Sequence, residues 1–347
     1  MPPAPTPAAT PAPTSNHDPA RRRTSWIRRL APWVVAFGLL AWLFHTVPVH
    51  ELEAALRAAP LGTFVLLTIL YVVGTLVADT FATWATFRSS LPEANLRFGE
   101  ALDVRGASYV LAIVHYGAGQ GGMAYFVNRV HGVPLARAAG SVMLIMGVNV
   151  IVVALIALCG VLAGGAPANP SLRLIVLGLA CAFPAYLAVI EARPRFLARR
   201  ALLAPLFDAG LRGHAVATAA RLPHVIWLML GHFFAMRLFG IVVPLPAALT
   251  LLPLLFVVAV LPIAPSGIGT VQATAVALFA PYATALGTNA VNSAGAASAT
   301  LAGREAAVLA YGLALQFGAL ILQAAIGLAF LRRVSKAVTV GQDPPIR

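Results

Sequence analysis

The stretch LPIAPSGIGTVQA, residues 261–273, contains two prolines and two glycines in the most apolar part of the chain. The residues around it, 238–303, include no Asp, Glu, Lys or Arg. In hydrocarbon every backbone N–H and C=O group needs a partner, so irregular backbone survives only where it is buried in protein or lines a wet cavity. Helix-breaking residues at this depth therefore indicate a broken helix inside a membrane protein.

Composition extends this interpretation to most of the chain. Hydrophobic residues make up 60% of the 347 residues and charged residues 10%, and the mean hydropathy is +0.85. Apolar blocks spread over most of the length mean that lipid is the solvent for much of the surface. We therefore expect an all-α, polytopic membrane helical bundle of about seven to eight transmembrane helices. Two re-entrant or broken helical elements are expected within it, at 106–127 and 246–283.

The net charge of +13 has two interpretations. Basic patches bind the phosphates of nucleic acids. Here, however, the positive residues lie between apolar blocks, as is typical of cytoplasmic loops, which carry an excess of Arg and Lys. We therefore expect no nucleic-acid partner and a location in the cell inner (cytoplasmic) membrane, with the N-terminus in the cytoplasm.

Three regions follow from the distribution of these blocks. Residues 1–30 begin with a Pro-, Ala- and Thr-rich segment and end in arginines, which predicts a disordered, basic cytoplasmic tail. Residues 31–333 form the predicted transmembrane domain. Residues 334–347 are predicted to be a short cytoplasmic tail.

The Arg-rich connection at 192–223 constrains the course of residues 106–127. If 106–127 crossed the membrane, the apolar blocks at 138–163 and 172–190 would deliver that connection to the outer side, against the positive-inside rule. We therefore predict that 106–127 enters from the cytoplasm and turns back. The same argument does not determine the course of 246–283, because two full spans and one re-entrant hairpin both return the chain to the outer face.

HYGAGQGGMAYFVNRV, at 115–130, is the counterpart of the opening stretch. Each of the two segments places a Gly-x-Gly unit, Gly117 and Gly119 or Gly267 and Gly269, ahead of an apolar helix beginning. Corresponding broken segments in two halves of a membrane protein point to a transporter-like site near the bilayer midplane. Half-helix N-termini at such a site face anionic groups such as phosphate. The alternative is that these glycines serve only close helix packing.

Three stretches resemble one family of membrane proteins. LPIAPSGIGTVQATAVALFAPYA (261–283) resembles the proline-glycine-glycine signature of the lysylphosphatidylglycerol synthase transmembrane region family, whose members are also described as flippase-like. GAGQGGMAYFVNRVHGVPLARAA (117–139) is similar to its first glycine-rich element, and LAGREAAVLAYGLALQFGALILQAAIG (301–327) to its closing helix. The resemblance covers residues 30–333. It implies a polytopic bundle with two re-entrant elements, and lipid translocation as the activity.

The chain departs from the family pattern in two places. The family usually has a glutamate a few residues after the second glycine pair, where this chain has Gln272, and the first element lacks the usual proline before its glycines. Some members also carry a soluble aminoacyl-transferase domain. This chain reaches Arg347 shortly after its last apolar block, so we expect no synthase activity.

Candidate residues for a lipid pathway come from the glycine-rich segments and from ionisable side chains at membrane depth. Charged groups inside apolar segments are costly and tend to face a cavity or a partner. Asp79 lies about 13 Å along a helix from Arg88, which predicts an Arg partner or a place in a polar cavity wall. Arg129 and Arg237 are the predicted headgroup ligands. The full candidate set is His115, Gly117, Gly119, Gln120, Gly121, Gly122, Arg129, Pro265, Ser266, Gly267, Gly269, Gln272, Asp79, His232, Arg237, Arg304 and Glu305.

Several of these candidates also have a purely structural interpretation. The two histidines, His115 and His232, could be hydrogen-bonded core residues. Arg304 and Glu305, at the start of the last helix, could form an interfacial pair. These alternatives stay open at the level of the sequence.

No motif predicts catalysis, a cofactor or a metal. Cys159 and Cys181 lie in apolar stretches and are interpreted as small buried hydrophobes. No ionisable residues have metal-ligand spacing. The PSG of APSGIG is followed by Ile268, whereas membrane lipid phosphatases have there the histidine that supports phosphoryl transfer. We therefore expect a protein that is not an enzyme and needs no cofactor.

Two functions remain. The first is a flippase-like transporter that moves an anionic or polyprenyl-linked lipid between leaflets. The second is a non-transporting membrane partner or assembly factor for a cell-envelope lipid or glycosylation enzyme. Membrane lipids are the expected partners in both cases, and an envelope enzyme or a second copy of the chain is a candidate protein partner.

Overall fold

The structure, a computed structural model, confirms the all-α bundle. It describes residues 19–114, 116–165, 170–261, 264, 267–284 and 301–340. The helices in these residues are α1 (Pro19–Thr46), α2 (Val49–Ala58), α3 (Leu61–Ser90), α4 (Phe98–Val114), α5 (Tyr116–His131), α6 (Leu135–Leu162), α7 (Pro170–Ala192), α8 (Arg195–Ala198), α9 (Ala204–Leu238), α10 (Leu245–Val260), α11 (Thr270–Phe279) and α12 (Leu301–Val340).

Within the described residues, four helices are long and apolar enough to cross a membrane. They are α3, α6, α7 and α12, and the pair α1 and α2, bent by 88°, makes a fifth if it is counted as one span. Fewer helices meet these criteria than the seven to eight expected. One reason is that several apolar blocks are divided between short helices. The 35-residue α9 is long enough to span, but it also carries arginines and histidines.

One end of the bundle is marked by a chain of ion pairs. Arg137, at the start of α6, lies 2.8 Å from Glu93 in the turn after α3 and 3.2 Å from Asp208 near the start of α9. Arg193, just after α7, lies 2.8 Å from the other Asp208 oxygen. These contacts bring the ends of α3 and α7 to the starts of α6 and α9, and we call this end of the bundle the basic end. Partly exposed pairs of this kind contribute about 0–1 kcal/mol each, so they mark the arrangement more than they stabilise it.

Helices α4 and α5 form an antiparallel hairpin, the first hairpin. A Cβ added to Gly119 of α5 would lie 3.0 Å from the Ala112 Cβ of α4, while Arg105, two turns earlier on α4, contacts Met123, one turn later on α5. The helices have 17 and 16 residues, short of the about 20 needed to span a bilayer. Both flanking helices meet at the basic end, so this hairpin enters and leaves there. It contains the re-entrant element predicted at 106–127.

Helices α10 and α11 form the second hairpin. Its two ends are joined, because Ile241 pairs with Ala283 and the Thr284 N–H donates to Gly240 O at 3.0 Å. The helices have 16 and 10 residues, too short for two spans of about 20 residues each. Of the two courses that the sequence left open at 246–283, the helix lengths favour a re-entrant hairpin.

The glycines of the opening stretch form the tip of the second hairpin. Gly267 and Gly269 have φ of +70° and +84°, a left-handed backbone that favours glycine. A Cβ on Gly269 would lie 2.7 Å from the Ala36 oxygen of α1. Glycine is therefore needed here both for the turn and for the close approach of α1.

The structure differs from the sequence-based expectation at two other places. Residues 19–30, predicted to be disordered, are the start of α1, and α12 continues through residues 334–340 of the predicted C-terminal tail. Cys159 and Cys181, predicted to be buried, are exposed on the surfaces of α6 and α7. An apolar residue in a membrane helix can face lipid as well as the core, so apolar surroundings in the sequence do not predict burial.

Candidate functional site

The two hairpins meet at one cavity of about 310 Å³. Helix α6 packs against α5 and α10, and α12 packs against α4 and α11, so both hairpins face the same interior space. The first hairpin contributes Arg105, Tyr109, Gly119 and Gln120 to the cavity wall, and the second contributes Leu255, Ala259 and Val271. Helices α3, α6, α9 and α12 complete the wall.

A buried cluster of three charged side chains lies in this wall. Asp79 of α3 accepts a hydrogen bond at its Oδ1 from Arg221 Nη1 of α9, at 2.5 Å. Its Oδ2 accepts one from Arg105 Nε of α4, also at 2.5 Å, and Arg105 Nη2 contacts the same oxygen. The side chains of Asp79 and Arg221 are 2% and 3% exposed. Two guanidinium groups and one carboxylate leave a net charge of +1, about 16 Å along α3 from the basic end.

Glycines in α3 and α9 bring Asp79 and Arg221 together. A Cβ on Gly74 of α3 would lie 2.3 Å from the Trp227 ring of α9, and one on Gly231 of α9 would lie 2.1 Å from the Tyr71 ring of α3. Each helix thus offers a glycine where the other presents a large ring, and the two helices run antiparallel. Small residues allow close approach of membrane helices. Continuing the same register toward the basic end places Arg221 opposite Asp79.

Several polar atoms in the cavity wall have no hydrogen-bond partner among the described residues. On Arg221 these are Nε and Nη2, although Nη1 is bonded to Asp79. The others are Thr75 Oγ1, Gln120 Oε1, Tyr109 Oη and His224 Nδ1. Buried polar atoms are nearly always hydrogen-bonded to protein or water, so this group indicates a site that accommodates water or a polar ligand.

His232 also lies in the cavity wall, where it joins two tyrosines. Its Nδ1 contacts the Tyr311 hydroxyl, and its Nε2 lies 3.4 Å from the Tyr71 hydroxyl. The contacts link α9 to α12 and α3. His232 is therefore both a hydrogen-bonded interior residue and part of the cavity, which combines the two interpretations left open by the sequence.

Gln272 lies in the second hairpin and serves its backbone. Its Oε1 accepts a hydrogen bond of 2.7 Å from the Gly269 N–H, which caps the start of α11. Gln272 is buried and is not part of the cavity wall, and neither are Gly267 and Gly269. The residue type that distinguishes this chain from the family pattern is therefore used here to hold the tip of the hairpin.

Two arginines predicted to hold a headgroup lie away from the cavity. Arg129 is exposed and stacks over Tyr125 at 5.4 Å, and Arg237 is exposed and stacks over Phe233 at 4.5 Å. The cavity instead holds Arg105 and Arg221. Neither was among the residues predicted from the sequence, because both lie at the margins of Arg-rich connections and were assigned to the loops. The signal available was Asp79, since a carboxylate at that depth requires a positive partner.

The remaining candidates fall into three groups. Gly117 and Gly121 are exposed on α5, and a Cβ on Gly122 would approach Leu111 of α4 at 2.7 Å. Arg304 and Glu305 lie near the start of α12, are partly buried and do not line the cavity. His115, Pro265 and Ser266 lie outside the described residues.

No group of three or more His, Cys, Asp or Glu side chains with metal-binding geometry occurs in the part of the chain that the structure describes. The chemistry of the cavity is instead that of hydrogen-bond donors and one excess positive charge. Such a site suits an anion.

The fold and this cavity define a polytopic helical membrane protein in which two re-entrant hairpins meet at a polar interior site. The chain matches the family model described as lysylphosphatidylglycerol synthase TM region over residues 29–314. The match covers most of the chain, so the protein belongs to this family. No curated protein and no solved structure matches the chain.

Proposed function

We propose that the protein is a lipid transporter that moves an anionic or polyprenyl-linked lipid between the two leaflets of the membrane. The observation that carries the proposal is the convergence of both hairpins on one cavity with a buried net charge of +1. Ionisable residues inside a membrane are expensive and usually mark a substrate pathway. Membership of a family named for a lipid synthase region supports lipid as the substrate.

The architecture supports a transport mechanism in which the hairpins move. Neither hairpin spans the bilayer, so each can shift against the long helices without breaking one of them. A headgroup would occupy the cavity while its hydrocarbon chains stay in lipid. Opening the cavity to one leaflet at a time would then carry the headgroup across, as in transporters with binding sites near the midplane.

We also propose an orientation in the membrane and a role without catalysis. The basic end, with Arg137 and Arg193, would face the cytoplasm of a bacterial-type inner membrane, in accordance with the positive-inside rule. The transporter would alter no covalent bond in the lipid, and it would act without a cofactor.

Reconstitution into sealed vesicles tests the proposal. Fluorescent phosphatidylglycerol, phosphatidylserine, phosphatidylcholine and a polyprenyl phosphate would each be placed in both leaflets, and the fraction exchanged to the outer leaflet would be followed with a membrane-impermeant quencher. We expect faster exchange than in protein-free vesicles for at least one anionic or prenyl lipid. If no lipid of this panel moves faster, the protein does not transport such lipids, and the role of assembly factor for an envelope enzyme replaces the proposal.

A further inference from the structure

We infer that the group recognised in the cavity is a phosphate, and that the Asp79 carboxylate takes the place of this phosphate on Arg105 and Arg221 while the cavity is empty. This inference rests on the proposed function, because it names the chemistry of the substrate at the same site. Its core is an exchange: the lipid phosphate binds to the guanidinium groups and Asp79 is displaced from them, with no covalent change.

The geometry of Arg221 points to a second anion. A guanidinium group offers two parallel N–H bonds on the edge formed by Nε and Nη2, an arrangement that matches two oxygens of a phosphate. In Arg221 these two nitrogens have no partner among the described residues, while Nη1 is bonded to Asp79. The side chain is 3% exposed, so bulk water does not take that place freely. A phosphate that entered beside this edge would accept both N–H bonds.

The charge of the cavity selects against a cationic group. Among the described residues that line the cavity, Asp79 is the one acidic side chain, and both of its oxygens already accept bonds from arginines. A positively charged headgroup would find no free carboxylate there and would meet the net charge of +1. A phosphate would be attracted by the net charge of +1. The Tyr109 hydroxyl, which has no partner among the described residues, could also donate a hydrogen bond to the phosphate.

Asp79 also explains how such a phosphate could leave. Two buried arginines without a counterion would bind phosphate strongly and would be costly in the empty state. A pathway needs a site that is favourable enough to enter and weak enough to leave. Asp79 holds Arg105 Nε and Nη2 as well as Arg221 Nη1, so a phosphate on the free edge of Arg221 must displace it in order to reach Arg105. This competition lowers the affinity for phosphate, and Asp79 pairs both arginines again when the lipid departs.

The binding test uses the purified full-length protein in a neutral detergent that contains no phosphate. Its thermal unfolding midpoint would be measured with phosphatidylglycerol, a polyprenyl phosphate, inorganic phosphate, diacylglycerol and polyprenol. We expect both phosphate lipids to raise the midpoint and their phosphate-free counterparts to leave it unchanged. An effect of inorganic phosphate alone would identify free phosphate as a ligand. Equal stabilisation by diacylglycerol and phosphatidylglycerol would overturn the inference, because the phosphate would then not be recognised.

Variants assign the effect to the cluster. Arg221→Gln should weaken binding of the phosphate lipids at least about tenfold, which corresponds to about 1.4 kcal/mol. Arg237→Gln makes the same change of charge on the same helix but outside the cavity, and should bind like the wild type. Equal binding by Arg221→Gln and Arg237→Gln would overturn the inference.

Asp79→Asn tests the exchange itself. This variant should unfold at a lower temperature without lipid, yet bind phosphate lipids at least about tenfold tighter than the wild type, because the competing anion is gone. Unchanged or weaker binding by a folded Asp79→Asn would contradict the exchange. Should that variant fail to fold, Arg105→Gln gives the complementary test. It leaves Asp79 with Arg221 at a net charge of 0, so phosphate binding should fall at least about tenfold, and undiminished binding would contradict the inference.

The outcome separates this inference from the proposed function. Phosphate binding that depends on Arg221, without lipid exchange in vesicles, would support the site and refute transport. Exchange of lipids that is insensitive to Arg221→Gln would support transport and refute the phosphate site.

Discussion

The two hairpins use similar sequences for different physical purposes. Both contain a Gly-x-Gly unit followed by a glutamine, and both reach the same cavity. In the first hairpin, Gly119 lies inside a regular helix and allows α4 to approach, and Gln120 faces the cavity. In the second, Gly269 has a left-handed backbone at the tip, and Gln272 caps the next helix. A glycine motif alone therefore does not reveal whether it serves packing or a turn.

The two hairpins also differ in their roles: the first contributes polar groups for a ligand, and the second mainly supports the fold. The first hairpin supplies Arg105 and other polar groups to the cavity, whereas the second supplies an apolar wall, and its tip is held by the Gln272 side chain. Substitutions of the polar residues in the first hairpin should therefore change ligand binding more than stability. Substitutions at the tip of the second hairpin should mainly lower the free energy of unfolding.

The largest effect is expected at the tip of the second hairpin. Gly269→Ala forces a side chain onto a left-handed backbone and brings its Cβ to 2.7 Å from the Ala36 oxygen. We expect a loss of about 2–4 kcal/mol in the free energy of unfolding. Denaturant titration of the protein in detergent would measure it. Gly267→Ala is the control, since its Cβ meets the end of the Val271 side chain, which can move, and its loss should be smaller. Equal losses would refute the role of the contact with α1.

Gln272 should give the next largest effect. Gln272→Met keeps the length of the side chain but leaves the buried Gly269 N–H without its acceptor, which we expect to cost about 1–3 kcal/mol in unfolding free energy. Gln272→Glu retains an acceptor oxygen and should lose less, as measured by the same denaturant titration. If the glutamate variant were the less stable of the two, hydrogen bonding to Gly269 would not be the main role of this side chain.

A smaller effect is expected in the first hairpin. Gly119→Ala places a Cβ at 3.0 Å from both the Ser108 oxygen and the Ala112 Cβ, so α5 must shift away from α4, at a cost of about 1 kcal/mol. Gly121→Ala lies two residues further along the same helix and meets nothing within 4 Å. It should stabilise the protein by about 0.5–1 kcal/mol, because alanine favours helix. Thermal unfolding of the two variants side by side would show opposite shifts, and shifts of the same sign would contradict the packing role of Gly119.

The smallest effect is expected outside both hairpin cores. Arg129→Gln and Arg237→Gln remove exposed arginines that stack on aromatic rings, so each should change the unfolding free energy by about 0.5 kcal/mol or less. The rate of lipid exchange in vesicles should stay close to that of the wild type. A strong loss of exchange in either variant would return these residues to the headgroup role that the sequence suggested.

The sequence predicted the fold class and the broken elements because these depend on properties that are local in the chain. Hydropathy, charge distribution and helix breakers indicated a bundle with interruptions at 106–127 and 246–283. The length of α11, which makes the second element a re-entrant hairpin, depends on where helices stop around Gly269. That boundary is set by tertiary contacts with α1, which the pattern of residues does not contain.

The site was predicted only in part, because it is assembled from distant positions. Asp79 was identifiable as a charge that needed a partner, but Arg105 and Arg221 reach it from 26 and 142 residues away along the chain. The reciprocal contacts of Gly74 with Trp227 and of Gly231 with Tyr71 set the register that joins them. No local pattern distinguishes Arg221 from the exposed arginines that precede it, so its place in the cavity becomes visible only in the folded bundle.

We propose that a lipid phosphate binds in the cavity shared by the two hairpins. A density map of the protein purified with phosphatidylglycerol or a polyprenyl phosphate tests it most directly. We expect density for the phosphate within hydrogen-bonding distance of Arg221 Nε and Nη2, with the hydrocarbon chains leaving the cavity toward the bilayer. Lipid density confined to the outer surface of the bundle, with Asp79 still bonded to both arginines at saturating lipid, would contradict it.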